Sequence, residues 1–286
     1  MSNIDQFESI FKASIKEKFV YDSPEFKNIL IVTDLSKDEV DSFSSKIQNF
    51  LNFLDADAKN VNYKIITDGM FGSTEELLKI VSENNPDLIC SYRNLHSQAW
   101  KFPHSLGEYL DVLLQKSCAP VLLVPHPKAG YAYEHAFDSM DNVMAITDHL
   151  SKDHRLVNCA AKFTKNDGTL HLAHIEDQVY FDRIIDAISK IPDIETDQAE
   201  NLIKQKLLSD ASDYISSCEK VLLEQGNVSV CSIVKFGHHL RHYRDQIEKE
   251  KINLLVLNTK DNDQMAMHGL AYPLAIELRQ ISLLML

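Results

Sequence analysis

The sequence predicts an α/β protein made of two parallel, helix-covered sheets in tandem, the first of them shortened. One phrase occurs twice: Ile31-Val32-Thr33-Asp34-Leu35-Ser36-Lys37-Asp38 returns, with one residue inserted, as Ala145-Ile146-Thr147-Asp148-His149-Leu150-Ser151-Lys152-Asp153. A second echo follows each copy. Gly107 opens a helical stretch before the apolar run Pro120–Val124, and Gly269 stands in the same way before Ile281–Leu286. Between these marks, apolar runs of strand length alternate with amphipathic runs of helix length, the pattern of parallel strands joined by crossover helices. Similarity repeated in one order along a chain marks a duplicated unit.

Residues 1–27 are expected as a helical extension, because Ile4, Phe7, Ile10, Phe11 and Ile15 recur at helical spacing until Pro24 breaks the run. The first unit, 28–127, then predicts a strand at Asn28–Thr33, a helix at Lys37–Leu54 and a strand at Val61–Ile66. A helix at Thr74–Asn84 follows, with Ser73 and Glu76 as a capping box, then a strand at Asp87–Tyr92. Arg93–His104 is irregular and leads to a helix at Ser105–Lys116 and a strand at Pro120–Val124. Pro125, Pro127 and Gly130 mark the linker Pro125–Asp141.

The second unit, 142–286, begins with a strand at Asn142–Thr147, a helix at Lys152–Lys165 and a strand at Thr169–Ile175. A helical insert, 179–225, precedes a strand at Val228–Lys235, a helix at His239–Lys249 and a strand at Asn253–Asn258. A helix at Gly269–Arg279 and a strand at Ile281–Leu286 close the chain. Asp34 and Gly107 are 73 residues apart, Asp148 and Gly269 are 121. The strand Thr169–Ile175 and the insert are expected to make up the difference, so that the first unit lacks one strand and one helix. Within the insert, Leu202, Ile203, Leu207, Ala211, Tyr214, Ile215, Cys218 and Leu222 form a stripe expected to pack on the unit's own sheet.

The chain has 286 residues, 44% hydrophobic and 25% charged, and a formal net charge of −13. Such an acidic balance argues against a nucleic-acid footprint, which needs clustered Lys and Arg, and against an anionic membrane surface. Five cysteines, an odd number without a C-x-x-C pair, are expected as reduced thiols, most of them in the core of a cytoplasmic protein. The N-terminus has no hydrophobic signal region, and no apolar run approaches the roughly 20 residues that span a bilayer.

The ordered set of Ile-Val-Thr-Asp34, Ala-Ile-Thr-Asp148, Leu170-His171-Leu172-Ala173-His174-Ile175, Asp87-Leu88-Ile89-Cys90 with Gly107 to Pro125, and Asn253-Leu254-Leu255-Val256 with Gly269 to Leu286 resembles the universal stress protein family in its tandem form. The resemblance covers about 28–125 and 142–286. It implies two Rossmann-like, flavodoxin-type domains of the adenine nucleotide alpha hydrolase-like kind. It also implies a stress-response role and, in nucleotide-binding members, ATP at the strand ends. There an Asp after the first strand faces the adenine end and a loop G-x2-G-x9-G-[ST] wraps the phosphates, its glycines letting backbone amides approach.

Both loops depart from that pattern. Of the three glycines only Gly107 and Gly269 survive, and Glu108 and Leu270 stand where the family has Ser or Thr. Neither unit is therefore expected to bind ATP in the family's way, and no cofactor is expected.

Asp34, Asp148, Gly107, Gly269, Arg93, Lys101 and His174 are the candidate ligand contacts, since open α/β sheets bind at strand ends. Each Asp also suits a helix cap. Arg93, His96, Lys101 and His104 make the first loop basic, and Trp100 with Phe102 is expected to close it over the sheet. His238 and His242 share a helix face at a spacing that can hold a transition metal, though no Cys/His set accompanies them. Ser91, Ser97 and Ser105 lack a nucleophile elbow, and no catalytic constellation is found.

The reading is a non-enzymatic cytoplasmic stress-response or regulatory protein acting through a protein partner or a small ligand. A nucleotide or small-molecule binder using Asp34 or Asp148 is the alternative, and a metal-assisted hydrolase the second. The apolar closing strands would be sticky edges if exposed. They are expected to meet across a pseudo-two-fold axis, pairing the two domains within one chain, with a homodimer as a further assembly.

Overall fold

The computed structural model describes residues 18–54, 61–137, 139–146, 153–226, 228–259 and 271–286. From Asn28 the chain runs through β1 (Asn28–Val32), α1 (Lys37–Phe50), β2 (Asn62–Ile66), α2 (Thr74–Asn84), β3 (Leu88–Tyr92), α3 (Glu108–Lys116) and β4 (Val121–Val124). It continues through β5 (Asn142–Ile146), α4 (His154–Phe163), β6 (Thr169–Asp177), α5 (Gln178–Ile188), α6 (Thr196–Gln225), β7 (Ser229–Gly237), α7 (His239–Lys249), β8 (Leu254–Leu257), α8 (Ala271–Glu277) and β9 (Ser282–Met285). The strands form one nine-stranded sheet in the order β2-β1-β3-β4-β9-β8-β5-β6-β7.

Residue pattern explains each strand's place. Leu88–Tyr92, Val121–Val124, Leu254–Leu257 and Ser282–Met285 are buried at every position, as befits inner strands covered on both faces. Residues 62–65 are alternately exposed and half-buried before the buried Ile66, and this strand lies at one edge. The helices cover the sheet with apolar stripes: Val40, Phe43, Ile47 and Phe50 from α1, Leu110, Leu113 and Leu114 from α3, and Leu156, Val157, Ala160 and Phe163 from α4.

Every neighbouring pair is parallel except one. β4 and β9 run antiparallel, pairing Val121 with Met285, Leu122 with Leu284 and Leu123 with Leu283. The two closing strands thus remove each other's free edge. Register shows the symmetry. Ile31 pairs Cys90, which pairs Leu122; Ala145 pairs Val256, which pairs Leu284. Ile31 and Ala145 hold the same place in the repeated phrase, so Leu122 and Leu284 are equivalent positions, and they face each other.

The same bookkeeping corrects one expectation. Ile31 pairs Ile65 in β2, and Ala145 pairs Leu172 in β6. β6 is therefore the counterpart of β2, and the strand without a counterpart is β7 at the sheet's far edge, not Thr169–Ile175. The insert is also two helices, α5 and α6, parted by 189–195 with Pro192 at its centre, where the ring removes an amide donor. The stripe on α6 is buried only from Ala211 to Leu222; Leu202, Ile203 and Leu207 are half-buried.

Residues 18–27 carry no helix. They run across the second half, where the Phe19 amide donates to Ser217 Oγ at 2.9 Å and Phe26 meets Phe163 edge-on at 5.2 Å. The helix expected earlier in the extension lies outside the described residues. At α2, Ser73 Oγ accepts the Glu76 amide, while the Glu76 carboxylate takes the amide of Gly72, not that of Ser73 as a full capping box would require. No helix of the described residues is long and apolar enough to cross a membrane. Cys90, Cys159 and Cys218 are buried, Cys231 is half-buried and Cys118 is exposed beyond α3.

Candidate functional site

At the C-terminal ends of β1, β3 and β4 the chain supplies a connected polar cluster. Asp34 follows β1, and its carboxylate is held from two sides. The Tyr92 hydroxyl donates to Oδ1, and the His96 amide donates to Oδ2 at 2.7 Å. Tyr92 Oη in turn accepts the Asp34 amide at 3.0 Å and lies 2.7 Å from Thr33 Oγ1. Burial, reinforced by the bond to Asp34, pushes the Tyr92 phenol above its usual range, so it is a fixed donor.

The loop 93–107 is folded tightly over these strand ends. Its amides are largely used internally: Asn94 donates to Leu106 O at 2.7 Å, Ser97 to Asn94 O at 3.1 Å and Ala99 to Ser97 Oγ at 3.1 Å. Gly107 caps α3 at φ 94° and ψ 150°. A Cβ there would lie 2.7 Å from Asn94 Cα, so glycine is required by conformation and by space. Counting back from Gly107, the G-x2-G-x9-G spacing places its first glycine at 94. Asn94 holds φ 60° there, the left-handed conformation that Asn tolerates better than other side chains do.

Aromatic rings fill the rest of the crevice. Trp100 stacks on His126 at 4.3 Å and 15°, and His126 meets Tyr92 edge-on at 4.8 Å. Trp100 therefore closes the loop on the chain itself. His126 Nδ1 accepts the Lys128 amide at 3.2 Å, and burial lowers its pKa to about 4, so the ring is neutral. On the other side His96 packs with Phe71 and Tyr109, each at 5.0 Å. Beside His126 lies a cavity of about 380 Å³ between α1 and the linker, lined among others by Leu35, Glu39, Phe43 and Lys128. Both lysines that line it already have partners: Lys128 pairs Glu39 at 3.1 Å, and Lys46 sits 4.0 Å over the Phe137 ring.

Of the sequence candidates, Asp34 and Gly107 share this site. Lys101 lies at its rim, donating to Gln98 Oε1 at 2.8 Å. Arg93 points away, buried, with Nη1 donating to Ile276 O at 3.1 Å and Nη2 to Leu278 O at 3.4 Å. It thereby holds the C-terminal carbonyls of α8, where a cation suits the helix dipole. His174 is on β6, with five strands of the sheet between it and β1, buried and paired with Glu176 at 2.7 Å. Asp148 and Gly269 lie outside the described residues.

His242 Nδ1 accepts the His238 amide at 2.9 Å, so that ring caps its own helix. No group of three or more His, Cys, Asp or Glu able to hold a metal occurs among the described residues. Burial pushes the Cys159 thiol to about 11 and Cys218 to about 12, away from nucleophilic reactivity.

Sequence reasoning passed over Tyr92, His126, Tyr131 and Arg279. Two signals were available: Tyr92 ends a buried strand one neighbour from Asp34, and His126 is fixed between two prolines directly after β4.

No family model matches the chain, and no curated protein is similar to it. Among solved structures, the universal stress protein from Archaeoglobus fulgidus DSM 4304 superposes with a TM-score of 0.53 at 13% identity, covering 92% of this chain and 97% of that one. The functionally unknown protein PA1789 from Pseudomonas aeruginosa PAO1 gives 0.48 at 12% identity, over 91% and 92%. The chain thus shares the fold of the Archaeoglobus protein.

Proposed function

We propose that this chain is a tandem universal stress-type protein of the cytoplasm that acts by binding, without turnover and without ATP held by a glycine loop. Its two halves pair internally through β4 and β9, and its effect passes to a protein partner or a small ligand. The observation that carries this reading is the double engagement of Asp34 by Tyr92 Oη and the His96 amide. An amide of the loop that would face a phosphate already serves the protein's own carboxylate.

A nucleotide entering here must break charge-assisted hydrogen bonds worth roughly 1.5–3 kcal/mol each before Asp34 or the His96 amide can face it. Each such bond costs about tenfold or more in affinity. The Trp100–His126 stack closes the same space with apolar contact. Native mass spectrometry of freshly purified full-length protein tests the reading. The expected spectrum carries no nucleotide mass that depends on Asp34; a stoichiometric co-purified nucleotide that is lost in Asp34→Ala overturns it.

A further inference from the structure

A second polar cluster lies where the two halves meet, adjoining the Asp34 site at His126. Three segments converge there: the loop after β3 with Arg93, the linker with Tyr131, and the turn between α8 and β9 with Arg279. The linker is tied to that turn by the Tyr133 amide donating to Gln280 O at 3.0 Å. Arg279 lays its guanidinium 4.6 Å over the Tyr131 ring, and its Nη1 reaches Lys101 O at 3.5 Å.

These arginines lack the partners that buried arginines normally have. The ion pairs of the described residues include neither of them. Nε of Arg93 and Nε of Arg279 are both buried without a hydrogen-bond partner, and the Tyr131 hydroxyl beside them, approached by the His126 backbone amide, has no acceptor for its own proton. Burial brings Arg93 down to about 10, with Tyr131 opposing the fall, the neighbouring Arg279 charge adding to it and no carboxylate acting. In a chain of net charge −13, two adjacent cations without an acid are an exception that needs a cause.

We propose that Arg93 and Arg279 form a binding site for a small oxyanion of the phosphate class, free or as the terminal group of a larger molecule. A tetrahedral oxyanion offers acceptors to both unpaired Nε–H groups and to the Tyr131 hydroxyl, and it neutralises the paired charges. Arg93 is already locked in place by the α8 carbonyls, so its open donor is preorganised. Arg279 is only half-buried and gives the site its open side. Because Arg93 and the linker belong to one half and Arg279 to the other, a bound anion ties the halves together at this end of the sheet.

The test is calorimetric titration of the full-length protein with orthophosphate and, separately, with AMP, against sodium chloride of matched ionic strength. Saturable binding of one orthophosphate per chain supports the proposal. Tighter binding of AMP assigns the anion to a larger molecule, and equal or weaker binding assigns it to the free ion. Arg279→Gln should weaken either ligand about tenfold or more. Arg279→Lys, which keeps the charge and loses the Nε donor, should fall between and serves as the decisive variant should the first misfold. No binding by the wild-type chain, or binding unchanged in the Arg279 variants, overturns the proposal.

Discussion

Gly107→Ala isolates the constraint that shapes the first strand-end loop. At φ 94° and ψ 150° the position lies in a region that side-chain-bearing residues adopt at a cost of roughly 1–3 kcal/mol. The added methyl also meets Asn94 backbone, with Cα at 2.7 Å and N at 3.0 Å. Neither atom can rotate away, so the loop or α3 must shift, an overpacking cost of roughly 1–3 kcal/mol. Together the change should remove about 2–6 kcal/mol, a large share of the roughly 5–15 kcal/mol that holds a typical native state. Urea unfolding followed by circular dichroism reads this as a lower midpoint at unchanged slope. A loss under about 1 kcal/mol would refute the claim that Gly107 is pinned against Asn94.

Three further outcomes follow from the same geometry. Tyr92→Phe removes the hydroxyl shared by Asp34 and Thr33 and should cost about 1–3 kcal/mol in urea unfolding; an unchanged midpoint denies that the hydroxyl holds the strand ends. Leu122→Asp buries a carboxylate opposite Leu284, at several kcal/mol, and should leave little soluble, cooperatively melting protein; a normal melting curve would contradict the central pairing. His126 has a folded pKa of about 4 against 6.5 unfolded, so the unfolded chain binds more protons between those values. Stability from this group is therefore unaffected above pH 6.5 and falls as pH drops toward 4, and His126→Phe should flatten that part of the profile; an equally steep variant profile rules the residue out.

What the sequence made legible follows from how local each cause is. Val121–Val124 and Ser282–Met285 are apolar on both faces, and such runs have few places to go but the middle of a parallel sheet. Their mutual pairing was foreseeable because each would otherwise be an open edge. Which strand lacked a counterpart was not foreseeable, since β6 and β7 are similar in length and only register separates them. At the site, Asp34 announced itself by position. Its partners Tyr92 and His96 lie 58 and 62 residues on, and Arg93 finds the α8 carbonyls more than 180 residues away. Contacts of that range leave no periodicity in a sequence. Asn94 gave no warning of its turn, because Asn tolerates the left-handed backbone it holds here but adopts it in only a minority of contexts.

Sealing of the strand-end crevice by Asp34 is tested most directly by titrating Mg-ATP into the full-length wild-type chain and Asp34→Ala side by side. Wild-type protein is predicted to show no saturable nucleotide binding up to millimolar concentration beyond what Arg279→Gln removes. Micromolar binding by the wild type that vanishes in Asp34→Ala would contradict it, for the carboxylate would then be holding a ligand and not the loop.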